Sequence, residues 1–428
     1  MTPDDLAEHP VPTTWSGHRA YASRALVRPD SLESLRALVR TGQRLRALGS
    51  RHSFNDLVDS PGLLVDLREL ATEPDLYVTD GGAAGVVTVS GAMRYGALAA
   101  WLHERGWALP AMASLPHISV AGAVATGTHG SGDEAGSLAT AVVGLELLGA
   151  DGEVHALRMG EADFPGAVVS LGALGLVLRL DLAVEPRYDV ATTVLEDVPF
   201  AGVLGEVETV WASATSVSAF TRWDGTCALW RKQRTDRIVP DATLGVVTAL
   251  GGRPADTPRH PLPDGDPQAC TPQLGEAGPW HERLPHFRQE VTPSAGAELQ
   301  SEYLLPRERA AEAIEAAAGV MARHRETILI SEIRSVASDD LWLSGSYGRA
   351  TIGLHTTWRQ DVAAVREASL EIEAALAPFE ARPHWGKLFE RADLAALYPR
   401  WEDARALLAR YDPAGQFTSP LLERVGLR

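Results

Sequence analysis

The stretch Ile328-Leu-Ile330-Ser-Glu332-Ile-Arg334 reads as a strand. Its period of two puts Ile328, Ile330, Glu332 and Arg334 on one face. Ile352-Gly-Leu354-His355-Thr356-Thr357-Trp358 reads as a second strand, with His355 and Thr357 sharing a face. A short connection makes the two antiparallel neighbours. A carboxylate, a guanidinium, an imidazole and a hydroxyl then line one sheet face. Glutamate accepts and arginine donates in a fork, so the pair can grip vicinal hydroxyls. A solvated sheet with a cross-strand salt bridge has the same residues, but the flanking apolar residues favour the floor of a cleft.

Lys387, in Arg382-Pro-His384-Trp-Gly-Lys387, is one of two lysines among 39 basic residues; the other is Lys232. A desolvated lysine can release its proton, which arginine cannot. Lys387 or His355 could take a proton from a substrate hydroxyl or stabilise an alkoxide. The residues themselves leave both assignments open.

Two loops of small residues could hold a large ligand. In Leu45-Arg-Ala47-Leu48-Gly49-Ser50-Arg51-His52-Ser53-Phe-Asn55 a strand runs into a turn. Its successive N–H groups and serine hydroxyls can form a nest for a diphosphate. A plain turn with an exposed histidine has the same composition. In Ala111-Met-Ala-Ser114-Leu-Pro-His117-Ile-Ser119-Val-Ala-Gly122-Ala-Val-Ala-Thr126-Gly127-Thr128-His129-Gly130 nearly every residue is small. Small side chains let backbone approach a flat ligand. Two such nests favour a large cofactor over a packing accident. Gly130-Ser-Gly132-Asp-Glu-Ala135 matches a dinucleotide fingerprint on paper, but Asp133 and Glu134 stand where a pyrophosphate needs bare N–H groups. It is rejected. No histidine spacing suggests a metal site.

The elements that must position these groups alternate short apolar strands with one-sided helices over the first ~185 residues, an α/β or α+β pattern. Asp30 is read as a helix cap with Glu33 in the capping-box place, and Leu32, Leu35, Leu38 and Val39 as the buried stripe. Strands are expected at 44–48, 63–67, 86–89 and 174–184, with a hairpin turning at Asp151-Gly152. Residues 251–290 hold eight of the 27 prolines and read as a long ordered excursion. A helix near 308–323 and another over 360–378, with Val362, Val365, Ile372 and Leu376 as its apolar stripe, flank the strand pair.

The chain has 428 residues and a net charge of −17, with 45% hydrophobic and 22% charged residues. It suggests two or three globular domains. Its acidity disfavours nucleic acid and anionic lipid as partners. Two cysteines exclude a disulfide framework and suggest free thiols in a reducing compartment. The Met1–His9 stretch has no apolar core of a signal peptide and no run spans a membrane, so a cytoplasmic protein is expected.

Taken together, the motifs are similar to those of the alditol oxidases (xylitol and sorbitol oxidases), flavoproteins of the vanillyl-alcohol oxidase type. The resemblance covers essentially the whole chain. It rests on residues 46–55, Ser114–Gly122, Thr126–Gly130, Pro279-Trp-His-Glu-Arg-Leu-Pro-His-Phe, Ser331-Glu-Ile-Arg334, Pro383-His-Trp-Gly-Lys387 and Tyr411-Asp-Pro-Ala-Gly-Gln-Phe. It implies an α+β, two-domain fold: an FAD-binding domain over 1–187, a sheet-based substrate cap over 188–379 and a segment over 380–428 returning to the first domain. It implies FAD bonded covalently to His52, with Ala47, Leu48, Gly49, Ser50, Arg51 and Ser53 around the diphosphate. Ser114, Ser119, Gly122, Thr126, Gly127, Thr128 and His129 contact FAD, with Val177 on the adenine side and His384 near the isoalloxazine. Ser114, Glu332, Arg334, Thr357 and Lys387 bind the polyol, and His355 sits beside the reacting carbon. Arg51 stands where the family commonly has glycine.

The activity this implies is oxidation of a terminal primary alcohol, with hydride passing to flavin N5 and electrons then to O₂, by a monomer. A sugar-1,4-lactone oxidase or dehydrogenase on the same scaffold is the alternative. A non-enzymatic polyol-binding protein, which needs no flavin, is the alternative of another class.

Overall fold

The structure, a computed structural model, describes residues 7–291 and 297–428. Residues 1–6, most of the stretch read for an export signal, lie outside it. Three sheets organise the described chain. A four-stranded sheet holds Ala25–Val27, Leu45–Ala47 and Leu63–Val65, the last pairing in parallel with both others. A six-stranded antiparallel sheet is centred on Leu176–Pro186, which pairs with Ala84–Ser90 and Val142–Leu148. The expected hairpin is present: Val142–Leu148 pairs with Val154–Arg158 across a turn whose Gly152 has φ +79°. After Pro186 the chain passes into a nine-stranded sheet, beginning with Asp189–Pro199.

The nine-stranded sheet has two unlike faces because its strands alternate. Ile328–Val336 pairs antiparallel with Thr351–Arg359, setting Glu332 opposite His355. Glu298–Pro306 follows, with Glu302 opposite His355 and Gln300 opposite Thr357. On the other side of Ile328–Val336, Ser216–Thr221 places Phe220 opposite Glu332, and Thr226–Arg234 places Lys232 opposite Ser216. One face is therefore polar through its middle. The opposite face carries Ile333, Leu354 and Tyr303, and two helices, Ala310–Arg323 and Val362–Leu376, cover this side of the sheet. Their buried Ala313, Ile314, Ala317, Val365, Ala368 and Ile372 let helix and sheet approach closely.

Several local expectations change. Ser31, not Asp30, caps the first helix, Leu32–Val39: its hydroxyl accepts from Ser34 N–H and the Ser34 hydroxyl accepts from Ser31 N–H. The capping box is thus Ser31/Ser34 rather than Asp30/Glu33. Leu35, Leu38 and Val39 are buried, while Leu32 is only partly so. Val362 stands at the start of its helix and is 56% exposed, outside the stripe assigned to it. A bulge between Ile328 and Ile330 breaks the alternation, so Ile328 pairs with Trp358 while Ile330 faces Thr357. The 251–290 segment is indeed ordered. It contributes Ala277–Pro279 and Arg253–Pro254 to the sheet edge and buries Trp280 completely.

The tail returns to the first sheet. Leu45 N–H donates to Gln416 O, and the Arg46 guanidinium donates to Phe417 O. Arg424 grips Asp56 through both terminal nitrogens at 2.8 and 2.9 Å.

Candidate active site

A cavity of about 270 Å³ runs between the small-residue loops and the polar face of the nine-stranded sheet. It is lined on one side by Ala47 through Ser53, Ser119, Gly122, Thr126, Thr128, His129 and Val177. Ser114, Glu332, Arg334, His355, Thr357, His384 and Lys387 line the other. Of the cofactor and substrate residues that the resemblance implies, Gly127 alone is absent from this lining and borders a small neighbouring cavity. Gly127 has φ +62°, a turn conformation that glycine adopts without steric cost.

The loop side fits a large cofactor on structural grounds. Ser119 Oγ is buried among the described residues without a hydrogen-bond partner. A Cβ on Gly49 would lie 2.4 Å from it, and one on Gly122 2.7 Å. Two glycines thus open a floor around an unsatisfied hydroxyl, as a diphosphate requires. Ser50 Oγ accepts from Ser119 N–H at 3.3 Å and ties the two loops together. Arg51 has φ +66°, which explains why glycine suits this place. Its carbonyl accepts from Trp15 N–H, and its guanidinium donates to Thr13 O. His52 stacks on Trp15 with ring centroids 4.6 Å apart. Burial, reinforced by Lys387, His117, Arg94 and Arg51, pushes the His52 imidazole down to about 3. It is therefore neutral at ordinary pH, with a nitrogen lone pair available for bonding to carbon.

The sheet side is a connected polar array. Arg334 donates to Glu302 Oε1 at 2.9 Å and to Ser114 Oγ at 3.2 Å, and stands 3.6 Å from Glu332 Oε2. Burial pushes both carboxyls up, but Arg334 together with His129 and Arg334 together with His286 hold Glu302 and Glu332 well below the usual carboxylate range. The Lys387 turn is clamped from both sides. Phe54 N–H donates to Gly386 O, the Asn55 amide donates to Trp385 O and Lys387 O, and His384 N–H donates to Glu302 O. Lys387 Nζ donates to Gln300 Oε1, and burial pulls its pKa down to about 8 against the pull of Glu302.

His355 has a defined tautomer. Gln300 Oε1, which can only accept, lies 3.2 Å from its Nε2, so Nε2 carries the proton. Nδ1 is then a bare acceptor, and among the described residues it is buried without a partner. Burial and Lys387 push this imidazole down to about 3.

Sequence reasoning missed Gln300 and Glu302, because the strand Glu298–Pro306 was not recognised. The signal was present: Glu298, Gln300 and Glu302 alternate with Leu299, Ser301 and Tyr303. His286 was passed over for lack of metal spacing, yet its Nε2 donates to Glu332 Oε1 at 2.9 Å. Among the described residues His129, Glu302 and His384 alone cluster like metal ligands. Their tautomers argue otherwise. His384 Nδ1 accepts from Gly386 N–H, so its other nitrogen keeps the proton, and Arg334 already neutralises Glu302. The rejected fingerprint is a loop of ion pairs, with Asp133 held by Arg307 and Glu134 by Arg237.

The fold and this site define an FAD-binding oxidoreductase of the vanillyl-alcohol oxidase type. Residues 23–158 match the family described as "FAD binding domain", and residues 297–425 match "D-arabinono-1,4-lactone oxidase". A cholesterol oxidase structure superposes with a TM-score of 0.76 at 16% identity over 98% of both chains, which shows the fold. An alditol oxidase of Streptomyces sp. is 45% identical over 96% of this chain and 97% of its own. An L-gulono-1,4-lactone dehydrogenase of Mycobacterium tuberculosis is 28% identical over 97% and 99%. The chain belongs to the alditol oxidase family of these FAD enzymes.

Proposed function

We propose that the protein oxidises the terminal primary alcohol of a linear polyol such as xylitol or sorbitol to the aldose, with O₂ reduced to H₂O₂. The observation that carries this is the density of hydrogen-bonding groups on one wall: Glu332, Arg334, Thr357, Gln300 and Lys387 converge on the cavity beside the flavin-type loops. A chain of hydroxyls presents nothing else to recognise. A wall built to bond each hydroxyl rejects analogues lacking one. The bound FAD supplies hydride acceptance and delivery of electrons to oxygen. The residues named above would hold it, with His52 bonded to it covalently; the neutral His52 imidazole supports that link.

Ser114, Glu332, Arg334 and Thr357 hold the hydroxyls remote from the reacting carbon. The bare His355 Nδ1 accepts a hydrogen bond from the reacting hydroxyl and orients it. Lys387, tuned to about 8, takes the hydroxyl proton, because its basicity lies nearest the working pH. We divide the chain at 187, near the passage from the six-stranded to the nine-stranded sheet, and at 379; Arg382–Pro383 still pairs with the nine-stranded sheet, and the tail meets the first sheet at Gln416 and Phe417. A cytoplasmic monomer fits two buried free cysteines and an acidic surface; among the described residues no helix is long and apolar enough to cross a membrane.

The test compares peroxide release from xylitol and from a γ-lactone by the purified protein in air. Turnover of xylitol well above the lactone is expected. The reverse order would assign the chain to lactone oxidation.

A further inference from the structure

The second lysine of the chain is almost completely buried. Lys232 is 1% exposed, on the polar face of the sheet. Its Nζ donates to Leu284 O at 2.5 Å and lies 3.0 Å from His286 Nδ1. The other nitrogen of that ring, Nε2, lies 2.9 Å from Glu332 Oε1. Phe220, Trp230 and Phe287 stand edge-on to the His286 ring, with centroids 5.4, 5.6 and 6.4 Å away. The ring is thus boxed, and among the described residues each of its two nitrogens has one side-chain partner.

The direction of this chain follows from hydrogen-bond chemistry. Glu332 is held ionised by Arg334 and His286 against its burial, so both its oxygens only accept. His286 Nε2 must therefore carry a proton. Burial, aided by Lys232, pushes the His286 imidazole down to about 4, so the ring is neutral and Nδ1 is bare. Nδ1 can then only accept, and Lys232 must donate. Remove that donor and Nδ1 is a buried acceptor without a partner. The competing tautomer, Nδ1–H bonded to some other acceptor, turns the Nε2 lone pair against the Glu332 carboxylate. The Lys232 ammonium, which can only donate, opposes it from one side of the ring as the Glu332 carboxylate does from the other.

We propose that Lys232 is a positioning residue of the substrate site, which through His286 engages Glu332 Oε1 and so leaves Oε2 as the acceptor presented to a substrate hydroxyl. The proposal rests on the reading that Glu332 binds the polyol. It also gives both lysines of an arginine-rich chain a place at one cavity: Lys387 at the reacting end and Lys232 behind the recognising end. The ionisable groups facing Lys232 are Glu332 from the sheet side and His286 and Cys270 from the 251–290 excursion; Arg334 also faces His286. Burial, against the pull of Glu332 and Cys270, brings Lys232 down to about 7. Its charge is therefore present below that pH and lost above it.

The experiment uses the flavin-loaded enzyme and its Lys232→Met, His286→Phe and His286→Gln variants. Two readouts are taken: kcat and KM for xylitol between pH 6 and 9, and the ¹⁵N spectrum of labelled histidine, in which His286 is assigned by its loss in a variant. Lys232→Met and His286→Phe are expected to raise KM about tenfold or more with a far smaller fall in kcat, as loss of a charge-assisted contact in uniform binding requires. His286→Gln, which keeps an N–H donor near the Nε2 position, is expected to restore most of the affinity. Wild-type KM rises as Lys232 loses its proton, and Lys232→Met removes that rise. The spectrum shows His286 Nδ1 unprotonated in the wild type and altered in Lys232→Met. Unchanged KM and pH profile in Lys232→Met, or a protonated Nδ1 in the wild type, overturns the proposal. If the wild type turns over no polyol, the functional reading fails while the spectrum still decides the hydrogen-bond chain.

Discussion

At the scale of single residues, Lys387 is set by its surroundings to do what few lysines can. Burial lowers it to about 8, while Gln300 fixes its direction. Because the basic form exists above that value, kcat is expected to climb through about pH 8 and level off beyond it. Replacing Lys387 by arginine keeps the charge but removes the titration. Both Lys387→Arg and Lys387→Met are therefore expected to lose roughly 10²–10⁴ in kcat. An arginine variant close to wild type would reassign Lys387 to charge stabilisation and leave His355 as the base. Arg51 occupies the position for which the family resemblance implies glycine. It adopts φ +66°, so the side chain is carried at a cost of about 1–2 kcal/mol that glycine would not incur. The bonds to Thr13 and Trp15 offset part of that cost.

At the scale of elements, the active face depends on alternation. Glu332 and Arg334 face the cavity because Ile333 between them faces the covering helices. Ile333→Ala is expected to cost about 2–5 kcal/mol, since it opens a hole in a fully buried contact. Thermal unfolding checks this, and the pH dependence of catalysis is expected to stay the same. The strand pair was legible because period-two alternation and β-branched residues agreed, although residues 337–350 make the link between the strands longer than the short connection expected. The bulge at Ile328 was not legible, because an extra residue leaves no compositional mark. Glu298–Pro306 was lost for a different reason: both of its faces are buried, and its charged residues point into a cavity, so it reads as neither a solvated nor an apolar strand. Its Gln300 and Glu302 order Lys387, His355 and Arg334. The supporting groups were thus harder to see than the groups they support.

At the scale of the whole molecule, Arg46 knits distant segments together. It is 3% exposed and donates to the carbonyls of Leu57, Leu171, Gly172 and Phe417. One side chain thus joins the strand before the flavin-type loop, the segment before Leu176–Pro186 and the tail. Arg46→Met leaves four carbonyls without that donor, and each unsatisfied group costs about 1–3 kcal/mol. A loss of several kcal/mol and of flavin retention together is expected, read by denaturant unfolding and by the visible spectrum. Arg46→Lys recovers only part, because one ammonium cannot reach four carbonyls in a planar arrangement. The two-lobed plan was readable from the change of pattern after Pro186, and the tail's return came from resemblance, not from periodicity. The region 251–290 showed its order through proline content alone; that it would bring His286 to Glu332 could not be read from spacing, since 46 residues separate them.

The central claim is that a flavin held by His52 and its neighbours is reduced by a linear polyol at this wall. It is tested most directly by the visible spectrum of the purified protein, recorded without oxygen as xylitol is added. A yellow protein whose flavin bands bleach with xylitol and return on admitting air is expected. A yellow protein that bleaches with a γ-lactone but not with xylitol, or a colourless one that takes up no FAD, would contradict it.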